Sequence, residues 1–192
     1  MTKGTDTKLA ILAAGLAMAN RLGLENVTIG ALAKATKMSK SGLFAHFKSK
    51  ERLQVQILDY AGGRFSEAVI LPALEAQSGI PRIRALVGNW IEFTAAMSGG
   101  CIFVSASTEF SDRPGIVRDL AIEQQQVWVD SLHRMARSAI NVGDFRKDAD
   151  CDQFAFDLYS LLLGFFYYQQ LLQGPDIADR QETALNQLLA NY

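Results

Sequence analysis

Two helix-start signals, Thr28 and Ser39, constrain the fold of this chain more than any other feature of its sequence. Each precedes a short run of apolar residues at helical spacing, and Thr and Ser are preferred N-cap residues. About four residues, 35–38, remain for the reversal between the two helices. Such spacing lets the second helix cross the first and project its N-terminal residues outward. The pattern predicts a helix-turn-helix.

A further helix is predicted on each side of this pair. Upstream, apolar residues recur at steps of three and four, which predicts a helix over residues 7–22 that ends at Gly23. Its predicted buried stripe is Leu9, Leu12, Leu16, Ala19 and Leu22. Downstream, Ser49 is predicted to cap the next helix, whose first amides would form a phosphate clamp with Lys48 and Lys50.

The second helix of the pair has the chemistry of a helix that reads DNA. Its first turn consists of small or cationic residues, Ser39, Lys40, Ser41 and Gly42. Hydroxyl groups and the Lys40 ammonium can reach phosphates or base edges, whereas Leu43 and Phe47 are expected to face the core. Gly42 either lets the backbone approach the sugar-phosphate wall closely or is only a poor helix former.

Positive charge is concentrated at one end of the chain. Residues 1–56 contain nine Lys and Arg but three Asp and Glu, whereas the rest contains ten against seventeen. The net charge of −1 therefore conceals a basic first part and an acidic remainder. Because phosphates attract positive charge, this asymmetry favours a nucleic-acid-binding head on an acidic body.

Composition favours a helical protein. Many Ala, Leu, Gln and Met residues and only four prolines indicate an all-α fold. The most apolar stretch, residues 154–172, contains Asp157 and two glutamines, which favours a buried helix over a membrane span. Two cysteines are too few for a disulfide framework, and the N-terminus lacks the apolar core of a signal peptide, so we expect a cytoplasmic protein.

The order of these features resembles the signature of the TetR family. The matching residues run from Thr28 to Ala33 and from Met38 to Glu51, with the first predicted helix at the right distance upstream. The resemblance covers roughly residues 7–54. It implies a three-helix DNA-binding head, placed at residues 1–52 with the signature at 28–47, and a larger helical domain at 53–192 for ligand binding and dimerisation.

The resemblance also implies the function and the partners. We expect a homodimer that binds double-stranded operator DNA as a repressor and is released by a small hydrophobic or aromatic effector. An activator, or a regulator that responds to no ligand or to oxidation, stays open. No cofactor or metal is implied. The residues expected at the DNA are Thr28, Lys37, Ser39, Lys40, Ser41, Gly42, Phe44, His46, Lys48 and Lys50.

This chain departs from the family pattern at two of these positions. Where the family usually has Gly in the turn, Lys37 must adopt a left-handed conformation, at about 1–2 kcal/mol, or use another turn. Where the family usually has Tyr, Phe44 lacks the phenolic hydroxyl, which puts its phosphate contact in doubt. His46 either touches phosphate or packs on the first helix, and we favour packing with the polar tip outward.

Two further sets of residues are assigned in the C-terminal part. A mostly apolar effector cavity is predicted among three helices, although each of its residues could also be ordinary core. Its lining residues are Trp90, Phe93, Met97, Cys101, Phe103, Trp128 and Met135. The last two predicted helices form a hairpin that would pair with its copy in a four-helix bundle. The residues assigned to that interface are Leu158, Leu162, Phe165, Phe166, Gln169, Leu185 and Leu188.

No catalytic pattern stands out in the sequence, so we expect no enzyme. Nucleophile-elbow, phosphate-loop and zinc-binding helix motifs do not occur. His133 follows Asp130 by one helical turn, and we interpret the two as a satisfied surface pair and not as a base or metal ligand. Cys101 and Cys151 are expected to be inert core residues, with a redox role as the minor alternative.

Overall fold

The computed structural model describes residues 3–97 and 99–192. Met1 and Thr2, on which the signal-peptide expectation partly rests, lie outside the described residues, as does Ser98. The described residues form helices and connections and no strand, which confirms the all-α prediction. In chain order the helices are α1 (Lys3–Leu22), α2 (Ile29–Thr36), α3 (Lys40–Phe47), α4 (Lys50–Phe65), α5 (Leu71–Glu75), α6 (Ile80–Ala95), α7 (Ile102–Glu109), α8 (Ile116–Val142), α9 (Cys151–Tyr167) and α10 (Ile177–Ala190).

Three short helical segments of other types complete the list. A 3₁₀ turn over Leu24–Asn26 connects α1 to α2, and wider π-type turns occupy Ser66–Ile70 and Tyr168–Leu172. The chain divides into two compact units. The first contains the described residues of Met1–Phe65 and Met97–Gln125, and the second contains Ser66–Ala96 and Gln126–Tyr192.

The core of the first unit is built around the helix-turn-helix. Its fully buried side chains come from α1 to α4, the 3₁₀ turn and α7, and they include Ile11, Leu24, Leu32, Leu43, Phe47, Leu53, Ile57, Leu58 and Ile102. The head thus buries a continuous apolar cluster that also takes in residues of α7 and the start of α8. Burial of this kind, and not helix propensity, stabilises helices as short as the eight-residue α2 and α3.

The buried face of α1 differs from the predicted stripe at both ends. Leu9 and Leu22 are exposed by 40% and 57%, whereas Ile11, which the prediction omitted, is 2% exposed. The face is centred near Gly15, where a Cβ atom would lie 2.6 Å from Ile57 Cδ1 of α4. The apolar pattern missed this point because the residue at the closest helix contact has no side chain.

One of the two adjacent glycines of α4, Gly62, allows close packing. Helix α4 continues through Gly62 and Gly63 to Phe65. A Cβ atom at Gly62 would lie 2.8 Å from Gln124 Nε2 of α8. That nitrogen donates a hydrogen bond of 3.1 Å to the carbonyl oxygen of Leu58. Gly62 therefore makes room for a side chain that binds the α4 backbone.

Helix caps and an aromatic cluster stabilise the second unit. Asp144 accepts a hydrogen bond of 2.8 Å from the first amide of α6, and Asp150 accepts two from the first turn of α9. The rings of Phe145, Phe154 and Tyr192 lie within 5.7 Å of one another, centroid to centroid. Among the described residues, no helix combines the length and apolar character needed to cross a bilayer.

Candidate nucleic-acid interface

The two predicted N-caps hold the helices of the candidate site. Thr28 Oγ1 accepts a hydrogen bond of 3.0 Å from the Ala31 amide, and Ser39 Oγ accepts one of 3.1 Å from the Gly42 amide. Both caps are therefore confirmed. Each hydroxyl uses its oxygen as the acceptor, so its hydrogen remains a donor at an exposed or half-exposed helix N-terminus. Such donors suit phosphate oxygens.

The turn between α2 and α3 uses a left-handed residue. Lys37 has φ of 56° and ψ of 30°, and its amide donates to Ala33, while the Met38 amide bonds to the same carbonyl at 3.1 Å. The first of the two conformations considered for Lys37 is thus observed. The positive φ is unfavourable for a residue with a Cβ atom. The Lys37 side chain itself is exposed.

Lys37→Gly is expected to raise the free energy of unfolding by about 1 kcal/mol, because glycine adopts this conformation without the steric cost. Urea denaturation of both proteins measures the change. Lys34→Gly is the matched control: Lys34 lies inside α2 and is also exposed, so glycine there should lower stability by about 1 kcal/mol. Equal destabilisation by both substitutions would contradict the strain at Lys37.

The exposed face of α3 carries the predicted DNA contacts. Lys40 and Ser41 are exposed and Phe44 is 55% exposed, whereas Leu43 and Phe47 are fully buried as predicted. His46 is exposed, and its ring lies 6.1 Å from the ring of Phe47 and tilted to it. The ten predicted contact residues all fall within residues 28–50 of the first unit, and their binding to DNA stays a prediction.

The start of α4 only partly matches the predicted phosphate clamp. Ser49 Oγ accepts from the Arg52 amide at 3.1 Å, which confirms the cap. Lys48 has φ of 65°, a second positive φ in this region that the sequence did not indicate. The Lys50 ammonium, however, lies 2.7 Å from Glu25 Oε1. Lys50 therefore contributes first to an ion pair within the chain, and a phosphate contact from it must compete with Glu25.

Glu25 is held in its charged form. The hydrogen bond from Lys50 keeps the pKa of the Glu25 carboxyl below its ordinary value, against the opposing effect of burial. Arg113, whose Nη1 lies 3.6 Å from Glu25 Oε2, lowers the pKa further. One carboxylate thus connects the 3₁₀ turn, the start of α4 and the segment before α8.

A second carboxylate, Glu109, holds the same 3₁₀ turn and was missed from the sequence. Its two oxygens accept hydrogen bonds from the amides of Leu24, at 3.2 Å, and Glu25, at 2.7 Å. Gly23 makes this possible, since it has φ of 85° and a Cβ atom there would lie 2.5 Å from Glu109 Oε1. Gln54 Nε2 donates to the Leu24 carbonyl at 2.9 Å. No sequence signal joins residues 85 positions apart.

The predicted effector residues are divided between the two units. Met97, Cys101 and Phe103 belong to the first unit, and Trp90, Phe93, Trp128 and Met135 belong to the second. Trp90, Cys101, Trp128 and Met135 are buried, and the other three are half-buried. A shared cavity formed by them stays a prediction.

The predicted dimer residues are largely covered within one chain. Leu158 and Leu162 are fully buried, and Phe165 and Leu185 are 6% and 5% exposed. Phe166, Gln169 and Leu188 are half-buried. The large apolar side chains that α9 and the following turn leave exposed are Phe156, Leu163, Tyr167, Tyr168, Leu171 and Leu172. A helix that is apolar all round needs cover on every side, and this second face of α9 is exposed in the single chain.

The interpretation of His133 requires a correction. Its Nδ1 lies 2.7 Å from Asp152 Oδ1 of α9, so its observed partner is not Asp130. The contact joins residues 19 positions apart, which helical spacing does not reveal. Within the described part of the chain, no group of three or more His, Cys, Asp or Glu residues could hold a metal ion.

Both helices of the helix-turn-helix are capped, and the outer face of the second one is exposed. In a chain whose first part is basic, this arrangement defines a DNA-binding transcription regulator. Residues 11–57 match the family model described as bacterial regulatory proteins, tetR family, and residues 79–185 match the Tetracyclin repressor-like, C-terminal domain. The chain therefore belongs to the TetR family, which confirms the resemblance found in its sequence. The family and fold are those of transcription regulators and not of enzymes.

Solved structures share the fold over nearly the whole chain. A TetR transcriptional regulator from Chloroflexus aurantiacus J-10-FL has a TM-score of 0.85 at 23% identity, covering 99% of this chain and 96% of that one. A TetR-family regulator from Cytophaga hutchinsonii has 0.84 at 20% identity, covering 100% and 96%. AibR in complex with isovaleryl coenzyme A and operator DNA has 0.68 at 23%, covering 94% and 95%. No curated protein matches the sequence.

Proposed function

We propose that this TetR-family regulator is a dimeric repressor that binds a palindromic operator and is released by a small, mostly apolar ligand. The observation that carries the proposal is the exposed N-terminal turn of α3. There, Lys40 and Ser41 are exposed, whereas Leu43 and Phe47 of the same helix are fully buried. A rigid helix that offers cationic and hydroxyl groups at its start fits the major groove of DNA.

The DNA-binding domain of this proposal comprises residues 1–52. Ser39, Lys40 and Ser41 would read base edges or phosphates, with Gly42 allowing close approach of the backbone. Thr28, Lys37 and Lys48 would contact phosphates before and after this helix. A phosphate contact from Lys50 would compete with its ion pair to Glu25. Phe44 has no hydroxyl, and with 55% of its surface exposed it would contact sugar or thymine methyl groups. His46 is the last of the ten residues that we propose to lie at the DNA.

The dimer of this proposal uses the exposed apolar face of α9. Residues 53–192 would form the effector-binding and dimerisation domain. Phe156, Leu163 and Tyr167 lie seven and four residues apart, so they share a helix face that a second copy can cover. Two heads on a two-fold axis fit operator half-sites separated by about one DNA turn, roughly 34–36 Å.

The effector of this proposal binds in the cavity predicted from Trp90, Phe93, Met97, Cys101, Phe103, Trp128 and Met135. AibR, which was solved with both isovaleryl coenzyme A and operator DNA, supports ligand binding by a DNA-binding protein of this fold. The apolar character of the ligand rests on the predicted lining residues alone. Aromatic and sulfur-containing side chains without a cluster of Arg or Lys favour an apolar ligand. The ligand releases the protein from DNA if it has a higher affinity for the conformer that cannot bind DNA than for the conformer that can.

An oxidation-responsive regulator receives less support. Both cysteines are buried, and burial raises the pKa of the Cys101 thiol. A thiol held in its neutral form reacts slowly with oxidants, because the thiolate is the nucleophile.

Selection of bound sequences from randomised duplex DNA tests the proposal, at a stated near-physiological salt concentration. We expect a palindromic site, and Lys40→Ala should raise its dissociation constant about tenfold by removing one charged contact to the groove. Lys147→Ala is the charge-matched control, since Lys147 is exposed in the second unit, and it should leave affinity unchanged. No enriched sequence from folded protein, or equal losses in both variants, would contradict the assignment.

A further inference from the structure

Lys50 is already paired at the place where the proposed function needs a free cation. Its ammonium lies 2.7 Å from Glu25 Oε1, and both side chains are half-buried. Solvent and salt screen such a pair less than they screen a fully exposed one. Lys50 can therefore bind a DNA phosphate only after this ion pair breaks, and the Glu25 carboxylate then loses its nearest cation.

Arg113 is a second cation beside the same carboxylate. Its Nη1 lies 3.6 Å from Glu25 Oε2, which is not the oxygen that Lys50 contacts. This distance is too long for a hydrogen bond, so Arg113 attracts the carboxylate without binding it closely. An open groove of about 210 Å³ borders all three groups. The guanidinium consequently has room to approach Glu25.

The backbones that carry Glu25 and Arg113 are both fixed within the first unit. The Glu25 amide donates a hydrogen bond of 2.7 Å to Glu109. The Arg113 amide donates one of 3.2 Å to the Phe110 carbonyl. Phe110 and Val117, on either side of Arg113 in the chain, are buried in the core of this unit. A change of partner at Glu25 therefore requires only rotations of side chains.

We propose that Glu25 holds Lys50 away from DNA in the free protein and that Arg113 takes over the Glu25 carboxylate when Lys50 moves to a phosphate. Arg113 is thus a positioning residue, because it acts on DNA through Lys50 and not by a contact of its own. This exchange rests on the proposed function, since it requires a phosphate at the start of α4. A partly exposed ion pair changes an equilibrium severalfold at most, so Glu25 and Arg113 adjust the affinity for DNA and do not create it.

Two substitutions in the full chain should change operator affinity in opposite directions. Fluorescence anisotropy measures binding to the palindromic duplex obtained by the selection described above, at one stated salt concentration. Glu25→Gln should lower the dissociation constant about threefold, because a neutral amide no longer holds Lys50. Arg113→Ala should raise it about threefold, because Glu25 then has Lys50 as its remaining cation. A purely structural role of Glu25 cannot produce tighter binding, since damage to the fold lowers affinity.

Double variants separate the exchange from a general effect of charge. Glu25→Gln should have no effect in a Lys50→Ala background, where no ammonium is left to release. Arg113→Ala should have no effect in a Glu25→Gln background, where no carboxylate is left to bind. Glu51→Gln is the charge-matched control, since Glu51 is exposed in the first turn of α4, next to Lys50 in sequence. It should change affinity less than Glu25→Gln does, and equally with and without Lys50.

Carbon-13 NMR of the Glu25 carboxyl measures the shared pairing without DNA. Lys50→Ala and Arg113→Ala should each raise the pKa of Glu25, because each removes a cation that stabilises the charged form. The rise should be larger for Lys50→Ala, since Lys50 makes the closer contact. A Glu25 pKa that does not respond to Arg113→Ala would overturn the role of Arg113.

Three affinity results would also overturn the proposal. They are unchanged or weaker operator binding by Glu25→Gln, an equal effect of Glu25→Gln with and without Lys50, and a loss from Arg113→Ala that persists in the Glu25→Gln background. The last would show a direct contact of Arg113 with DNA. In each case the natural chain still binds its operator, so the proposed function stands. No selected operator from folded natural chain would instead overturn the proposed function, and the exchange with it.

Discussion

Phe156→Asp combined with Leu163→Asp is expected to convert the protein from a dimer to a monomer at micromolar concentration. The two side chains are 67% and 36% exposed in the single chain and share one face of α9 with Tyr167. If a second copy covers this face, each aspartate places a charge in an apolar contact, and the two-fold symmetry repeats both charges in the other copy. The dimer dissociation constant should rise more than about a hundredfold.

Sedimentation equilibrium measures this change directly. Val127→Asp is the control, because Val127 is also a large apolar residue, 53% exposed, but lies on α8. It should remain as dimeric as the natural chain. A double variant that stays dimeric, or a natural chain that is monomeric at micromolar concentration, would rule out this face as the interface.

The same variant should lose operator binding although its heads are intact. A dimer holds two reading helices at one palindromic site, and the second contact is gained at a high effective concentration. A monomer keeps one half-site contact only. Circular dichroism shows whether the double variant is folded, and an unaltered affinity for the full operator would contradict the dimeric model of binding.

Glu109→Ala is expected to lower the free energy of unfolding by about 2–3 kcal/mol, the second large effect. The Glu109 carboxylate accepts hydrogen bonds from the amides of Leu24 and Glu25, which no side chain within the 3₁₀ turn caps. Alanine would leave two amides without an acceptor beside the fully buried Leu24. A carboxylate in the last turn of α7 also opposes the helix dipole, so its position reflects these contacts.

Urea denaturation and amide hydrogen exchange measure this effect. Glu109→Gln keeps one acceptor oxygen and should lose about half as much stability. Protection of the Leu24 and Glu25 amides should fall in the alanine variant and fall less in the glutamine variant. Thr108→Ala is the control, since Thr108 is exposed and its side-chain hydroxyl donates to the Val104 carbonyl of the same helix. Unchanged protection in Glu109→Ala would refute the role of this carboxylate.

Local chemistry was sufficient to predict most of the head. Thr28, Ser39 and Ser49 each bind an amide three residues later, so each cap depends on a few neighbouring residues. The same locality explains why the left-handed conformation of Lys37 was foreseen as an option. The family signature lies in this part of the chain, and its match over residues 11–57 followed from the same residues.

Contacts between distant residues could not be predicted in this way. The Glu109 contacts join positions 84 and 85 apart. The pairing of Lys50 with Glu25 and that of His133 with Asp152 join positions 25 and 19 apart. Sequence periodicity identifies which residues are apolar, but it does not say which of two apolar faces of α9 packs inside the chain. That choice depends on the helices that surround it, because burial is a property of the packed structure. The amino-acid sequence therefore revealed the family and the local frame of the reading helix, whereas tertiary packing decided which side chains hold that frame and which remain exposed for a partner.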